Sequence, residues 1–238
     1  MEDVRDAQAA GGFRLMSVER LESNFSRFLL EIGAVKFGSF RLKSGRISPY
    51  FVNLGVVGEG SSIWRLGEFY AKALVEFGLV NEIDVLFGPS YKGIPIVVST
   101  SIALHKLFNI SKRFAFNRKE AKDHGEGGFI IGKVDEGDKI GILDDVMTTG
   151  KTKEEVLSVL SSIGNVKIKF VLIALDRLER GETEYIATVE FCKRYGIPVK
   201  SIVTVQDVAK KALEGGSITV KEMEEITNYL KTYGGKTL

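Results

Sequence analysis

Residues 139–152, KIGILDDVMTTGKT, join an apolar run to two adjacent carboxylates and then to a turn of threonines and glycine. Ile140, Ile142 and Leu143 predict a buried strand that carries Asp144 and Asp145 to its carboxyl end. The polar turn beyond them opens a helix. In an open α/β sheet, ligands bind just past the carboxyl ends of the strands, and a helix amino terminus there offers unpaired N–H groups to an anion. Carboxylates repel a phosphate, so they must serve another part of the same ligand, either sugar hydroxyls or a bridging cation. A phosphorylated ribose meets both demands. The alternative is a strand end with acidic residues on a solvated turn.

The same stretch contains a decoy. Gly150-Lys151-Thr152 imitates the end of a triphosphate-binding P-loop, but that loop needs a glycine five positions before Gly150, where Asp145 stands.

Strand and helix patterns alternate along most of the 238 residues, which predicts crossover connections and a mostly parallel sheet. Helices are expected over about 17–32, 61–77, 93–107, 151–163 and 183–195, and strands over 83–87, 112–116, 128–132, 167–175 and 199–205. Short strands at 37–42 and 49–54 precede the alternation and suggest a small covering subdomain. Ser17 is in place to cap the first helix, and residues 206–238 read as terminal helices broken at Gly215-Gly216. With no repeat or proline-rich linker, one domain over 17–238 is expected, its covering elements within about 17–55. Residues 1–16 are expected to be a leader or extension, because Met16 directly precedes the first helix.

The net charge of +2 supplies no global field to recruit nucleic acid or an anionic membrane. A single cysteine, Cys192, can form no intrachain disulfide, which suits a reducing cytoplasm. One cysteine and two histidines make a structural zinc site improbable. No apolar run approaches the roughly 20 residues that span a bilayer.

Two further segments seek anions. Residues 117–128, NRKEAKDHGEGG, place Arg118, Lys119, Lys122 and His124 beside three glycines. Such a segment has little to anchor it in a core and is expected to be a mobile surface loop able to close over a polyanion; the alternative is a solvated hairpin tip. At residues 88–93, GPSYKG, the glycines permit close backbone approach and Lys92 supplies a cation at a helix start. An ordinary strand-to-helix connection is the alternative there.

With these residues in view, the chain resembles a known family. DDVMTTGKT after an apolar strand is similar to the phosphoribosyl-pyrophosphate motif of type I phosphoribosyltransferases. Residues 42–51 (LKSGRISPYF), 91–95 (YKGIP), 116–128 (FNRKEAKDHGEGG) and 174–181 (ALDRLERG) narrow the resemblance to the orotate phosphoribosyltransferases. The resemblance implies a type I fold, a mostly parallel central sheet flanked by helices beneath a small hood. It implies transfer of a 5-phosphoribosyl group from phosphoribosyl pyrophosphate to orotate in pyrimidine synthesis, with Mg2+ accompanying the donor.

By position, Asp144 and Asp145 would accept hydrogen bonds from the ribose 2- and 3-hydroxyls. Val146, Met147, Thr148, Thr149, Gly150, Lys151 and Thr152 would cradle the 5-phosphate through backbone N–H groups and hydroxyls. Tyr91 and Lys92 would meet the pyrophosphate. Arg118, Lys119, Lys122 and His124 would form a closing loop that acts on the neighbouring subunit's site in a cytoplasmic homodimer. Lys43, Tyr50, Phe51, Thr148 and Arg177 match positions associated with orotate, Arg177 being able to meet its carboxylate in fork geometry. Against these roles, Lys43 and Arg177 could form surface ion pairs, and one of Tyr50 and Phe51 must point inward whatever the function. His105 and Cys192 read as structural. A purine-directed transferase and a noncatalytic regulator sensing the sugar diphosphate are the competing functions.

Overall fold

The computed structural model describes residues 17–42, 45–122, 128–148 and 150–237. Helix α1 (Val18–Glu31) leads into an antiparallel pair, β1 (Val35–Arg41) and β2 (Ile47–Val52), registered Val35 to Val52 and Phe37 to Tyr50. Then follow α2 (Gly60–Glu76), β3 (Val85–Gly88), α3 (Gly93–Phe108), β4 (Arg113–Lys122), β5 (Gly128–Gly132) and β6 (Lys139–Val146). The chain continues through α4 (Lys151–Ser161), β7 (Lys167–Asp176), α5 (Ala187–Tyr195) and β8 (Val199–Thr204) to α6 (Val205–Glu214) and α7 (Val220–Tyr233).

The main sheet runs β5-β4-β3-β6-β7-β8, parallel except for β5, which pairs antiparallel to β4. Strands buried on both faces read as continuous apolar runs, and β6 and β7 do so. Alternate side chains then supply two cores. Leu86, Leu143, Phe170 and Leu172 pack on one face with residues of α1, α2, α3 and α6. Val85, Phe87, Ile142, Val171 and Ile173 pack on the other with Val156 and Leu160 of α4 and Phe191 of α5. Gly141 lets the Phe170 ring lie over β6, since a Cβ there would stand 2.5 Å from Phe170 Cζ.

From β3 the chain moves outward to β4, whereas β6, β7 and β8 build on β3's other side. The reversal falls between β3 and β6, and a crevice forms at such a point in an open sheet. Elements at its mouth are therefore the ends of β3 and β6.

Three local expectations change. Residues 117–122 were expected to be loop but extend β4, since Asn117 pairs with Ile130 and Lys122 with Gly128 across an irregular register. The segment left to close over a ligand is correspondingly shorter. Residues 183–186 precede α5 rather than belonging to it. Ser17 occupies the N-cap position of α1 without a side-chain capping bond.

Helices α2 and α3 meet at Gly67, where an added Cβ would stand 2.5 Å from the Ser99 carbonyl carbon. Gly67→Ala should therefore destabilise the protein by about 1–3 kcal/mol through overpacking, although alanine is the better helix former by roughly 1 kcal/mol. Urea unfolding of the two proteins checks this; an unchanged or raised midpoint contradicts the tight approach.

Candidate active site

The acidic corner is built by β6 and the first turn of α4. Asp144 and Asp145 are both buried, and each carboxylate has a lysine. Lys153 Nζ lies 2.5 Å from Asp144 Oδ2, with the two side chains 4% and 7% exposed. The same ammonium donates to the Val146 carbonyl at 2.7 Å. Lys92 Nζ lies 2.6 Å from Asp145 Oδ2, but Lys92 is 49% exposed. The Asp145 N–H donates to Asp144 Oδ1 at 2.9 Å. Behind the corner, the buried Tyr70 hydroxyl of α2 donates to the Asp144 carbonyl at 2.6 Å. Burial pushes the Asp144 carboxyl up from its ordinary value, and the Lys153 ammonium opposes that push.

The β3–α3 turn forms the facing wall. Gly88 and Gly93 approach each other so closely that a Cβ on Gly88 would lie 2.3 Å from the Gly93 carbonyl oxygen. These glycines serve a tight turn rather than direct contact with a ligand. The Ser90–Tyr91 peptide is cis. Ser90 N–H donates to Asn117 Oδ1 at 3.0 Å, and its hydroxyl donates to the Asn117 carbonyl, tying the turn to β4. Tyr91 is 67% exposed, with Lys119 Nζ 4.9 Å from its ring centroid.

Between the walls is a cleft of about 410 Å³. Ser90, Tyr91, Lys92, Lys119, Asp144 and Asp145 line it together with Val146, Thr148, Gly150, Thr152 and Lys153. Gly150 takes the left-handed region (φ +80°) at the N-cap of α4, which has no side-chain cap. The first N–H groups of that helix are thus available to an anion. Met147 is buried in the second core and is not among the residues lining the cleft.

The sequence-predicted residues divide accordingly. Lys92, Tyr91, Lys119, Asp144, Asp145, Val146, Thr148, Gly150 and Thr152 converge on one cleft. Lys119 lines the cleft of its own chain. Arg118 is not among the described lining residues. Lys43, His124 and Thr149 lie outside the described residues, as do the side chains of Lys122 and Lys151.

The residues expected at the base end, Tyr50, Phe51 and Arg177, do not line this cleft. Tyr50 is fully buried, and its hydroxyl donates to Glu179 Oε1 at 2.7 Å. Phe51 points outward and stacks on Phe40 at 5.7 Å. The Arg177 fork is occupied: its Nε and Nη2 donate to Glu179 Oε1 at 3.1 and 2.6 Å. Glu179 also pairs with Arg46, whose guanidinium lies 5.5 and 4.8 Å from the Tyr229 and Tyr233 ring centroids.

Lys153 and Glu179 were missed. Lys153 carried one signal, since a cation in the first turn of a helix opposes the macrodipole unless an acid answers it. Glu179 stood inside ALDRLERG but showed no sign of its partner 133 positions away.

Asp176 ends β7, half-buried, and accepts from Thr188 Oγ1 at 2.7 Å and Leu178 N–H at 2.9 Å. Burial still pushes its carboxyl above the ordinary value of 3.8. A raised folded-state value means that ionisation opposes folding once the pH exceeds the unfolded value. Asp176→Asn should therefore be more stable than the parent at neutral pH, and the gap should close on acidification through Asp176's folded-state value. Urea midpoints along a pH series test the sign; a gap that widens in acid refutes it.

Comparison with known proteins agrees with this geometry. The profile of the phosphoribosyl transferase domain matches residues 60–211. An orotate phosphoribosyltransferase of Clostridium beijerinckii is 42% identical over 221 residues, covering 90% of this chain and 98% of the relative. One from Pseudomonas aeruginosa is 42% identical over 217 residues, covering 91% and 100%. The crystal structure of the Francisella tularensis orotate phosphoribosyltransferase superposes with a TM-score of 0.79 at 33% identity, covering 89% of this chain and all of that one. With the cleft at the sheet's switch point and these likenesses along nearly its whole length, the chain belongs to the orotate phosphoribosyltransferase family.

Proposed function

We propose that this chain transfers the 5-phosphoribosyl group of phosphoribosyl pyrophosphate to orotate, giving orotidine 5′-monophosphate and pyrophosphate in pyrimidine synthesis. One observation carries the reading: a lysine-paired carboxylate corner and an uncapped helix start share a cleft with Lys92 and Lys119. The helix start takes the 5-phosphate, the carboxylates take the ribose diol, and the two cations take the diphosphate. The relatives' names supply orotate as the acceptor.

Bond breaking at the anomeric carbon builds positive charge on the sugar and negative charge on the departing diphosphate. Buried carboxylates favour the first, and preorganised ammonium groups stabilise the second. Lys92 can exchange Asp145 for diphosphate oxygens because it is half-exposed. Arg177 engages the orotate carboxylate by leaving Glu179, an exchange of one carboxylate for another.

Magnesium suits the site as a passenger of the donor. Among the described residues no group of three or more acidic, histidine or cysteine side chains could cage a metal ion. Mg2+ commonly binds through substrate phosphates with only one or two carboxylates. When bound, the ion neutralises diphosphate charge.

A homodimer is also part of the proposal. Phe114 of β4 and Phe129 and Ile131 of β5 leave apolar surface exposed at the end of the sheet, and Ile102 of α3 is exposed as well. A second copy covering them is the partner that these residues suit. We place the protein in the cytoplasm, on the single cysteine; among the described residues no helix is long and apolar enough to cross a membrane.

Orotate-dependent release of pyrophosphate is the direct test, run beside adenine, guanine and hypoxanthine. Orotate should be the preferred acceptor, and chelation of divalent ions should stop turnover until Mg2+ is restored. A purine preference would replace the substrate assignment. Lys119→Ala should lower kcat by about two to three powers of ten, by analogy with losing one oxyanion-hole donor, with a much smaller change in KM. Undiminished kcat would remove Lys119 from the leaving-group site.

A further inference from the structure

The two carboxylates of the corner are held in different ways. Asp145 is paired with a lysine that stands half in solvent at the mouth of the cleft. Asp144 is paired with one that has almost no exposure, 4%, and a second anchor on the Val146 carbonyl at 2.7 Å. Lys92 can swing away when a ligand arrives. Lys153 cannot, because leaving would abandon a buried carboxylate and a carbonyl together. Its other neighbours fix the geometry: Asp144 Oδ1 receives the Asp145 N–H, and the Asp144 carbonyl receives the Tyr70 hydroxyl.

Lys153 sits in the first turn of α4, three residues after the left-handed Gly150, and its own N–H donates to the Gly150 carbonyl at 2.8 Å. One residue therefore ties the helix start to the strand end, its N–H at Gly150 and its ammonium at Asp144 and Val146. From this geometry we infer that Lys153 is a positioning residue for the sugar diphosphate, locking Asp144 and the Val146 strand end to the start of α4, while Asp145 and Lys92 form the exchangeable pair.

The roles differ in what each lysine touches. Lys92 meets the diphosphate and is a catalytic residue; Lys153 acts on the donor only through Asp144 and the turn. Its ammonium also cancels the charge that would otherwise repel an incoming phosphate from the Asp144 side. The inference rests on the donor assignment above, though not on orotate as the acceptor.

The test uses the full chain, with binding of Mg2+–phosphoribosyl pyrophosphate read by calorimetry and both KM values read by steady-state kinetics. Lys153→Met should weaken donor binding by about tenfold or more, the scale seen when a partner supporting a ligating group is lost. The KM for orotate should move less than about threefold, which general loosening of the fold would not spare. Donor affinity within threefold of the parent in folded Lys153→Met overturns the inference.

The second arm compares Asp144→Asn with Asp144→Asn/Lys153→Met. These should bind the donor equally within about threefold, because removing the carboxylate removes most of what Lys153 positions. A further tenfold loss in the double variant would mean that Lys153 meets the donor directly, and the positioning role falls. If Lys153→Met alone does not fold, recovery of a folded, donor-binding protein in the double variant shows the same coupling, and failure of both to fold refutes it. A parent protein that binds the donor without orotate-dependent pyrophosphate release overturns the activity but leaves Lys153 to be judged by binding. A parent that binds no donor refutes both.

Discussion

Placing two adjacent carboxylates at the buried end of a central strand is the constraint around which this molecule is organised. A charge removed from water costs several kcal/mol unless a partner answers it. Here the answers come from both sides of the switch point, Lys153 from the helix after β6 and Lys92 from the turn after β3. Lys153 answers Asp144 from within the same strand-to-helix unit, whereas Lys92 can reach Asp145 only because β3 and β6 are neighbours. Stability and ligand geometry thus depend on the same contacts. Removing one partner of a buried pair leaves an uncompensated charge, at a cost of about 3–5 kcal/mol.

The remainder of the fold serves that corner at one remove. Apolar runs in β6 and β7 place the acids by burying residues 140–143 and 170–175. The close approach of Gly88 and Gly93 turns the chain sharply enough for Lys92 to face Asp145. Tyr70 satisfies the Asp144 carbonyl from within the first core, where burial pushes its phenol well above the ordinary value and keeps it a donor.

Much of this was legible in the sequence, for identifiable reasons. Residues 139–152 revealed strand, acids and helix start together because an uninterrupted apolar run ending in two aspartates has few places to lie. The second half of β4 was not legible. Its residues 118–120 are charged, and its strand character comes from pairing with β5 near the sheet's edge, a tertiary choice that local composition does not encode. Arg177 was picked out as a candidate guanidinium, but its engagement by Glu179 was hidden. So was Arg46, which meets the same glutamate across 133 positions of chain. Lys43, His124 and Thr149 lie outside the described residues.

The aromatic clasp on Arg46 has a wider consequence. The matched family profile spans residues 60–211, so α1, the β1–β2 hairpin and α7 all fall beyond it. Yet the hairpin and α7 fasten to one another: Tyr229 stands edge-on to Tyr50 at 5.6 Å, and Tyr229 and Tyr233 enclose the Arg46 guanidinium. The opening and closing stretches of the polypeptide are thereby buckled into a single collar. The hairpin and the last helix thus hold each other through the Arg46 guanidinium.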